Sequence, residues 1–204
     1  MNLKDKLLII TRKECKENKI TLYLGKGKTV SYTKGIKSSG FFDFDHEDPF
    51  DRKLACATKL PNWELTLVHE LSHMRQWKEN CKVWQDFVNM SNNNIDSAVL
   101  GKEVSLKHLL KDINITIKME HDCEKRAYTT LKELGYPKHK LEEYVQKANA
   151  YVLFYLHIAK TKSWYKSGKA PYSIKNVWSK FPKTFDFDVH ATYNKLQHLY
   201  NECY

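Results

Sequence analysis

The chain changes character at Pro61, and that change limits the folds open to it. Before Pro61 the apolar residues come in short runs of β-branched and aromatic side chains, and after it they recur at helical spacing. Ile20-Thr21-Leu22-Tyr23-Leu24 and Thr29-Val30-Ser31-Tyr32-Thr33 read as strands, joined as a hairpin through Gly25-Lys26-Gly27-Lys28. That turn contains Gly27-Lys28-Thr29, but a phosphate loop needs a glycine five positions earlier and Leu22 stands there. Lys53 to Lys59 reads as a further strand, stopped by Pro61.

From Trp63 to about Asn89 the pattern is helical, with Asn62 as the expected N-cap and Glu64 in the first turn. Ser91-Asn92-Asn93-Asn94 breaks it. A second helical tract covers roughly Lys118 to Leu134 and stops at Gly135, with Pro137 beyond. A third runs from about Lys140 to Lys162, and an aromatic tail follows, closed by a short helix near Thr192–Tyr200. Strands followed by helices predict an α+β fold, with a small N-terminal antiparallel sheet packed on the first long helix. At 204 residues the expectation is one domain: residues 1–60 β-rich, 61–162 helical, and 163–204 an aromatic tail packing on the core.

Composition removes several function classes. No apolar run approaches the roughly 20 residues of a membrane span, and Leu7-Leu8-Ile9-Ile10 is too short for a signal-peptide core. The expectation is therefore a protein that neither spans a membrane nor is secreted by a cleaved signal. The cysteines Cys15, Cys56, Cys81, Cys123 and Cys203 are odd in number and widely spaced, which favours a reducing compartment. A net charge of +10 raises the question of nucleic acid, but only Arg12, Arg52, Arg75 and Arg126 are arginines. The lysines are spread along the whole chain, which suits a solvated surface better than a phosphate-reading one. Nucleic acid is thus an open but not a favoured partner. The acidic aromatic stretch Phe41 to Pro49 lacks the glycine and glutamate of a calcium loop, since Asp48 and Leu54 hold those places, and reads as an acidic loop.

One motif carries chemistry: His69-Glu70-Leu71-Ser72-His73, an HExxH inside a helical tract. Residues one turn apart share a helix face, so both imidazoles can reach one metal ion with Glu70 beside them. At about 100° per residue, Leu65, His69, His73 and Gln76 fall on one side, with Trp63, Leu67, Leu71, Met74 and Cys81 on the other. This predicts a helix that buries Leu67, Leu71 and Met74 and turns its histidines to a cleft. A zinc site needs a third ligand and an open position. Gln76 and Glu79 stand where a metzincin has glycine and histidine, and the next histidines are His108 and His121. A carboxylate from a second helix remains, and Met119-Glu120-His121-Asp122-Cys123-Glu124-Lys125-Arg126-Ala127 offers one. Glu120 shares a face with Cys123, Glu124, Ala127 and Leu131, while Asp122 points to the charged side. A glutamate on such a face is costly unless paired or bound to metal, so Glu120 is the expected third ligand. Glu124, one turn on, either orients a histidine or is the ligand itself; the plainer alternative is that both are surface carboxylates.

The HExxH helix followed by Glu120, Cys123, Glu124 and Ala127 resembles the gluzincin zinc peptidases, whose ExxA[DN]xxA helix supplies the third ligand. Cys123 replaces the usual alanine and Glu124 the usual aspartate or asparagine. The whole chain, with Tyr151, Tyr155, Trp164-Tyr165 and Pro171-Tyr172, is also similar to small uncharacterised phage-encoded metallopeptidases. The resemblance implies a zincin-like fold, Zn2+ as cofactor, a peptide or protein substrate and, for a phage protein, the host cytoplasm. Zinc would acidify its bound water and polarise the scissile carbonyl, with Glu70 as general base. Tyr151 and Tyr155, which share a helix face, are the expected oxyanion donors, with His157 behind them. The Leu54–Thr58 strand is expected to offer an edge to an extended peptide. The rival expectation is a non-catalytic binding or virion-associated protein on the same fold.

Overall fold

A computed structural model describes residues 2–33, 36–44, 51–90 and 94–204. The expected acidic loop beyond Phe44 and most of the asparagine-rich break, residues 91–93, lie outside them. The fold is α+β and mostly helical. The chain gathers into two compact units, residues 1–81 with 129–136, and residues 82–128 with 137–204.

The first unit opens with a helix, α1 (Leu3–Glu17), in the stretch expected to be β-rich. Asn2 caps it by accepting from the Asp5 N–H at 2.9 Å. Its buried stripe is Leu7, Thr11 and Cys15, one turn apart. Two of these three are a hydroxyl and a thiol, so the helical period is faint on a hydropathy reading.

Strands β1 (Thr21–Gly25), β4 (Gly40–Asp43) and β5 (Lys53–Ala57) form one sheet in the order β1-β5-β4, and β2 (Val30–Thr33) pairs with β3 (Ile36–Ser38) in another. The expected hairpin between residues 20–24 and 29–33 is therefore wrong. β1 runs parallel to β5 instead, Thr21 opposite Lys53 and Gly25 opposite Ala57. The turn is tied to the end of β5: Gly25 accepts from the Thr58 N–H and Oγ1 at 2.8 and 2.9 Å, and Gly27 from the Lys59 N–H at 3.1 Å. With these bonds made, the chain leaves β1 for a different sheet. The three-stranded sheet is mixed rather than antiparallel, because only β4 runs against β5.

The expected substrate edge at Leu54–Thr58 is also corrected. β5 is the middle strand, and Leu54, Ala55, Cys56 and Ala57 are fully buried. The Ala57 N–H already donates to Ser39 at 2.8 Å, so Ala57→Pro would break the sheet and say nothing about peptide docking.

Helix α2 (Trp63–Glu79) packs on β5 and β4, and α1 packs on β1 and α2. Asn62 precedes α2 in the left-handed region (φ 57°) without the expected side-chain cap. The helix ends ten residues before the expected Asn89, because Asn80 turns left-handed (φ 46°) and its N–H closes on Gln76 and Trp77. A separate helix, α3 (Lys82–Val88), follows in the second unit.

That unit holds α4 (Asn94–Val99), α5 (Leu106–Glu133, whose final turn belongs to the first unit), α6 (Lys138–Thr161), α7 (Lys175–Trp178) and α8 (Val189–Leu196). α5 begins a dozen residues before the expected Lys118: Ser105 Oγ accepts from the His108 N–H, and Leu109, Ile113 and Ile117 bury a regular stripe. Its end falls where expected, at Gly135 (φ 83°), with the Tyr136 N–H reaching back to Leu131. The tail packs on α6 as anticipated. Phe154 is wrapped by Trp164, Tyr165 and Tyr200. The buried amide of Gln146 donates to the Ser179 and Phe181 carbonyls, and that of Asn149 to Pro182 and Thr184, all at 2.9 Å. No helix among the described residues is long and apolar enough to cross a membrane.

Candidate functional site

The expected site residues divide between the units: His69, Glu70 and His73 stand on α2 in the first, Glu120, Glu124, Tyr151 and Tyr155 on α5 and α6 in the second.

On α2 the i,i+4 spacing does what it should. The two rings lie perpendicular with centroids 4.6 Å apart, and His73 Nε2 stands 3.1 Å from His69 Nε2. Two imidazole nitrogens on one tetrahedral zinc, each about 2.0–2.1 Å from it, would stand about 3.3 Å apart. The spacing therefore fits a shared divalent ion. Gln76, one turn beyond His73, sets the tautomer: its Oε1 accepts from His73 Nδ1 at 2.9 Å, so the Nδ1 carries the proton and Nε2 keeps its lone pair toward His69. Gln76 is fully buried. Its role was not anticipated, although its place on the histidine face was.

The expected division of α2 into a core face and a cleft face is only partly met. Leu67, Leu71 and Met74 are fully buried as anticipated, but Glu70, Ser72, His73 and Gln76 are buried too. The reason lies partly in β4. A Cβ on Gly40 would stand 2.6 Å from Thr66 Cγ2 and 3.1 Å from Glu70 Cγ, so only glycine lets this outer strand lie so close along the helix. Burial, followed by the charges of Glu70 and Glu64, pushes the Cys56 thiol up to about 12. Burial with the charge of Glu14 does the same to Cys15. Neither is a nucleophile at neutral pH. Arg75 anchors the helix, gripping Glu14 of α1 through two nitrogens (2.6 and 3.0 Å) and Thr130 at 2.7 Å.

On α5, Glu120 and Glu124 are each 6 % exposed, and Cys123 and Ala127 are fully buried. The expected shared face is present, and the surface-carboxylate alternative is excluded. Asp122 lies on the other side and accepts from Arg126 at 2.6 Å. Each glutamate meets a phenol from α6. Tyr155 Oη donates to Glu120 Oε1 at 3.5 Å and is 3.0 Å from Tyr151 Oη. Tyr144 Oη donates to Glu124 Oε2. Burial, then neighbouring charge, holds all three phenols well above their ordinary range; the charges are Glu124 at Tyr144, Tyr155 and Glu120 at Tyr151, and Glu120 at Tyr155. They therefore remain protonated donors. Tyr144 was missed: its only mark in the sequence is a place in an amphipathic helix, 20 residues from its partner.

His157 sits apart from these carboxylates. It is 3 % exposed, bonds Tyr193 through Nδ1 at 3.3 Å and packs against Phe154 and Tyr200. It is part of the aromatic core. His121 lies between Phe185 and Phe187, and burial lowers its pKa.

No protein-family model matches this chain, and neither a curated protein nor a solved structure does.

Proposed function

We propose that the protein is a zinc-dependent peptidase of the gluzincin type, acting on a peptide or protein substrate. The observation that carries this reading is the imidazole pair on α2, with Nε2 atoms 3.1 Å apart and His73 held in the metal-binding tautomer by Gln76. A helix that only needed two buried polar side chains has no use for a third residue fixing which nitrogen is bare.

His69 and His73 would be two of the zinc ligands. Glu120 enters as the third on the gluzincin resemblance, supported by its burial on a face of small and acidic residues. Zinc, when bound, supplies Lewis acidity toward a water and a substrate carbonyl. Glu70, the neighbour of His69 and 8 % exposed, would take the proton from the attacking water and return it to the leaving amine. The tight pairing of β4 with α2 at Gly40 holds that carboxylate side chain in place. The compartment we propose is the cytoplasm, on the odd number and wide spacing of the cysteines.

The test is a proteome-wide cleavage comparison of the zinc-loaded wild type with Glu70→Gln. New peptide termini made by the wild type alone, with equal zinc in both proteins, are the expected result. No new termini from a zinc-loaded wild type would leave a metal-binding protein without hydrolase activity.

A further inference from the structure

Two glutamates one helical turn apart are both buried on α5, and like charges at that spacing repel each other. Each must be stabilised by something other than water. The structure gives them different treatments. Tyr144 donates directly to Glu124 Oε2, joining the middle of α5 to the first half of α6. Tyr155 stands off from Glu120 Oε1 at 3.5 Å, and its hydroxyl is shared with Tyr151 at 3.0 Å. One carboxylate is fastened by its phenol, and the other is steered by its phenol from further away.

We propose that Tyr155, backed by Tyr151, is a positioning residue that aims Glu120 at the metal, while Tyr144 fastens Glu124 as a structural tie between α5 and α6. The inference rests on the peptidase reading and deepens it. It separates two glutamates that the sequence leaves interchangeable, and it gives Tyr155 a task other than donating to the substrate oxyanion. A hydroxyl engaged between a second phenol and a carboxylate is a fixed donor, suited to holding a ligand's orientation. The Tyr144–Glu124 bond, buried and charge-assisted, is the kind that contributes to stability instead.

The experiment uses the full chain with Tyr155→Phe, Tyr144→Phe, Glu120→Gln and Glu124→Gln. Zinc affinity is read by competition with a chromophoric chelator, ligand geometry from the visible bands of the cobalt-substituted protein, and stability from melts of the metal-free protein. Glu120→Gln is expected to lose zinc. Tyr155→Phe should weaken zinc by about 10–100-fold and shift the cobalt bands while leaving the metal-free melt near wild type. Tyr144→Phe and Glu124→Gln should lower the melting temperature and leave the cobalt spectrum unchanged. If Tyr155→Phe alters neither affinity nor spectrum, or if Glu124→Gln loses zinc while Glu120→Gln keeps it, the inference is overturned and the peptidase reading stands. A wild type that takes up no zinc removes the peptidase reading and this inference together.

Discussion

The polar groups of α2 and those of α5 are organised in opposite ways. On α2 the chemistry is settled inside one helix: His69 faces His73 four residues on, and Gln76 orients His73 from three residues on. On α5 the two carboxylates find their partners on another helix, Glu124 at 20 residues' separation and Glu120 at 35. A constellation made by helical spacing persists as long as its helix does. One made by packing depends on everything that seats α6 beside α5. The two groups should therefore respond differently to damage, and the following variants probe that difference.

Phe154→Ala should have the largest effect. Phe154 is fully buried and ringed by Trp164, Tyr165 and Tyr200, so its loss should cost about 3–5 kcal/mol in urea unfolding. A cost below about 1 kcal/mol would mean that this aromatic packing is not what seats α6. Gln76→Leu attacks the local arrangement. Zinc affinity should fall by about 10–100-fold in a chelator competition, and an unchanged affinity would show that His73 needs no orienting partner. Gly40→Ala presses on the same helix from the strand side, where the new Cβ would meet Thr66 Cγ2 at 2.6 Å and the Ala55 carbonyl at 3.0 Å. A loss of about 1–3 kcal/mol is expected, and a neutral result would show that β4 can shift away from Glu70.

The smallest effect concerns pH. Burial, with the charge of Lys160, lowers the His157 pKa below its ordinary 6.5. Above that value the ring is neutral in both the folded and the unfolded chain and contributes nothing to the pH dependence. As pH falls through it, the unfolded chain takes up a proton that the folded chain refuses, so stability drops. Urea unfolding followed from about pH 7.5 down to about pH 5.5, a window that brackets the ordinary histidine value, should show that loss as a falling midpoint. His157→Phe should flatten the curve, and an unchanged slope would place the proton uptake elsewhere.

The same contrast governs what could be read from the sequence. The HExxH pair, the shared face of Glu120, Cys123, Glu124 and Ala127, and the stop of α5 at Gly135 are consequences of local spacing, and all are present. The β1–β2 hairpin failed because Gly25 is claimed by Thr58, a residue 33 positions away that no turn rule can foresee. α1 escaped notice because Thr11 and Cys15 fill two of its three buried positions. The placement of β5 at the centre of its sheet followed from parallel pairing with β1, again a non-local choice. Tyr144 belongs with these: nothing within one turn of it signals a carboxylate partner.

The central claim is that His69 and His73 hold a zinc ion together with a carboxylate, and metal content tests it most directly. Emission spectrometry on the purified wild type and on His73→Ala, both dialysed against the same zinc buffer, should find about one zinc per chain in the first and almost none in the second. Equal zinc in the two proteins, or none in the wild type, would contradict the account.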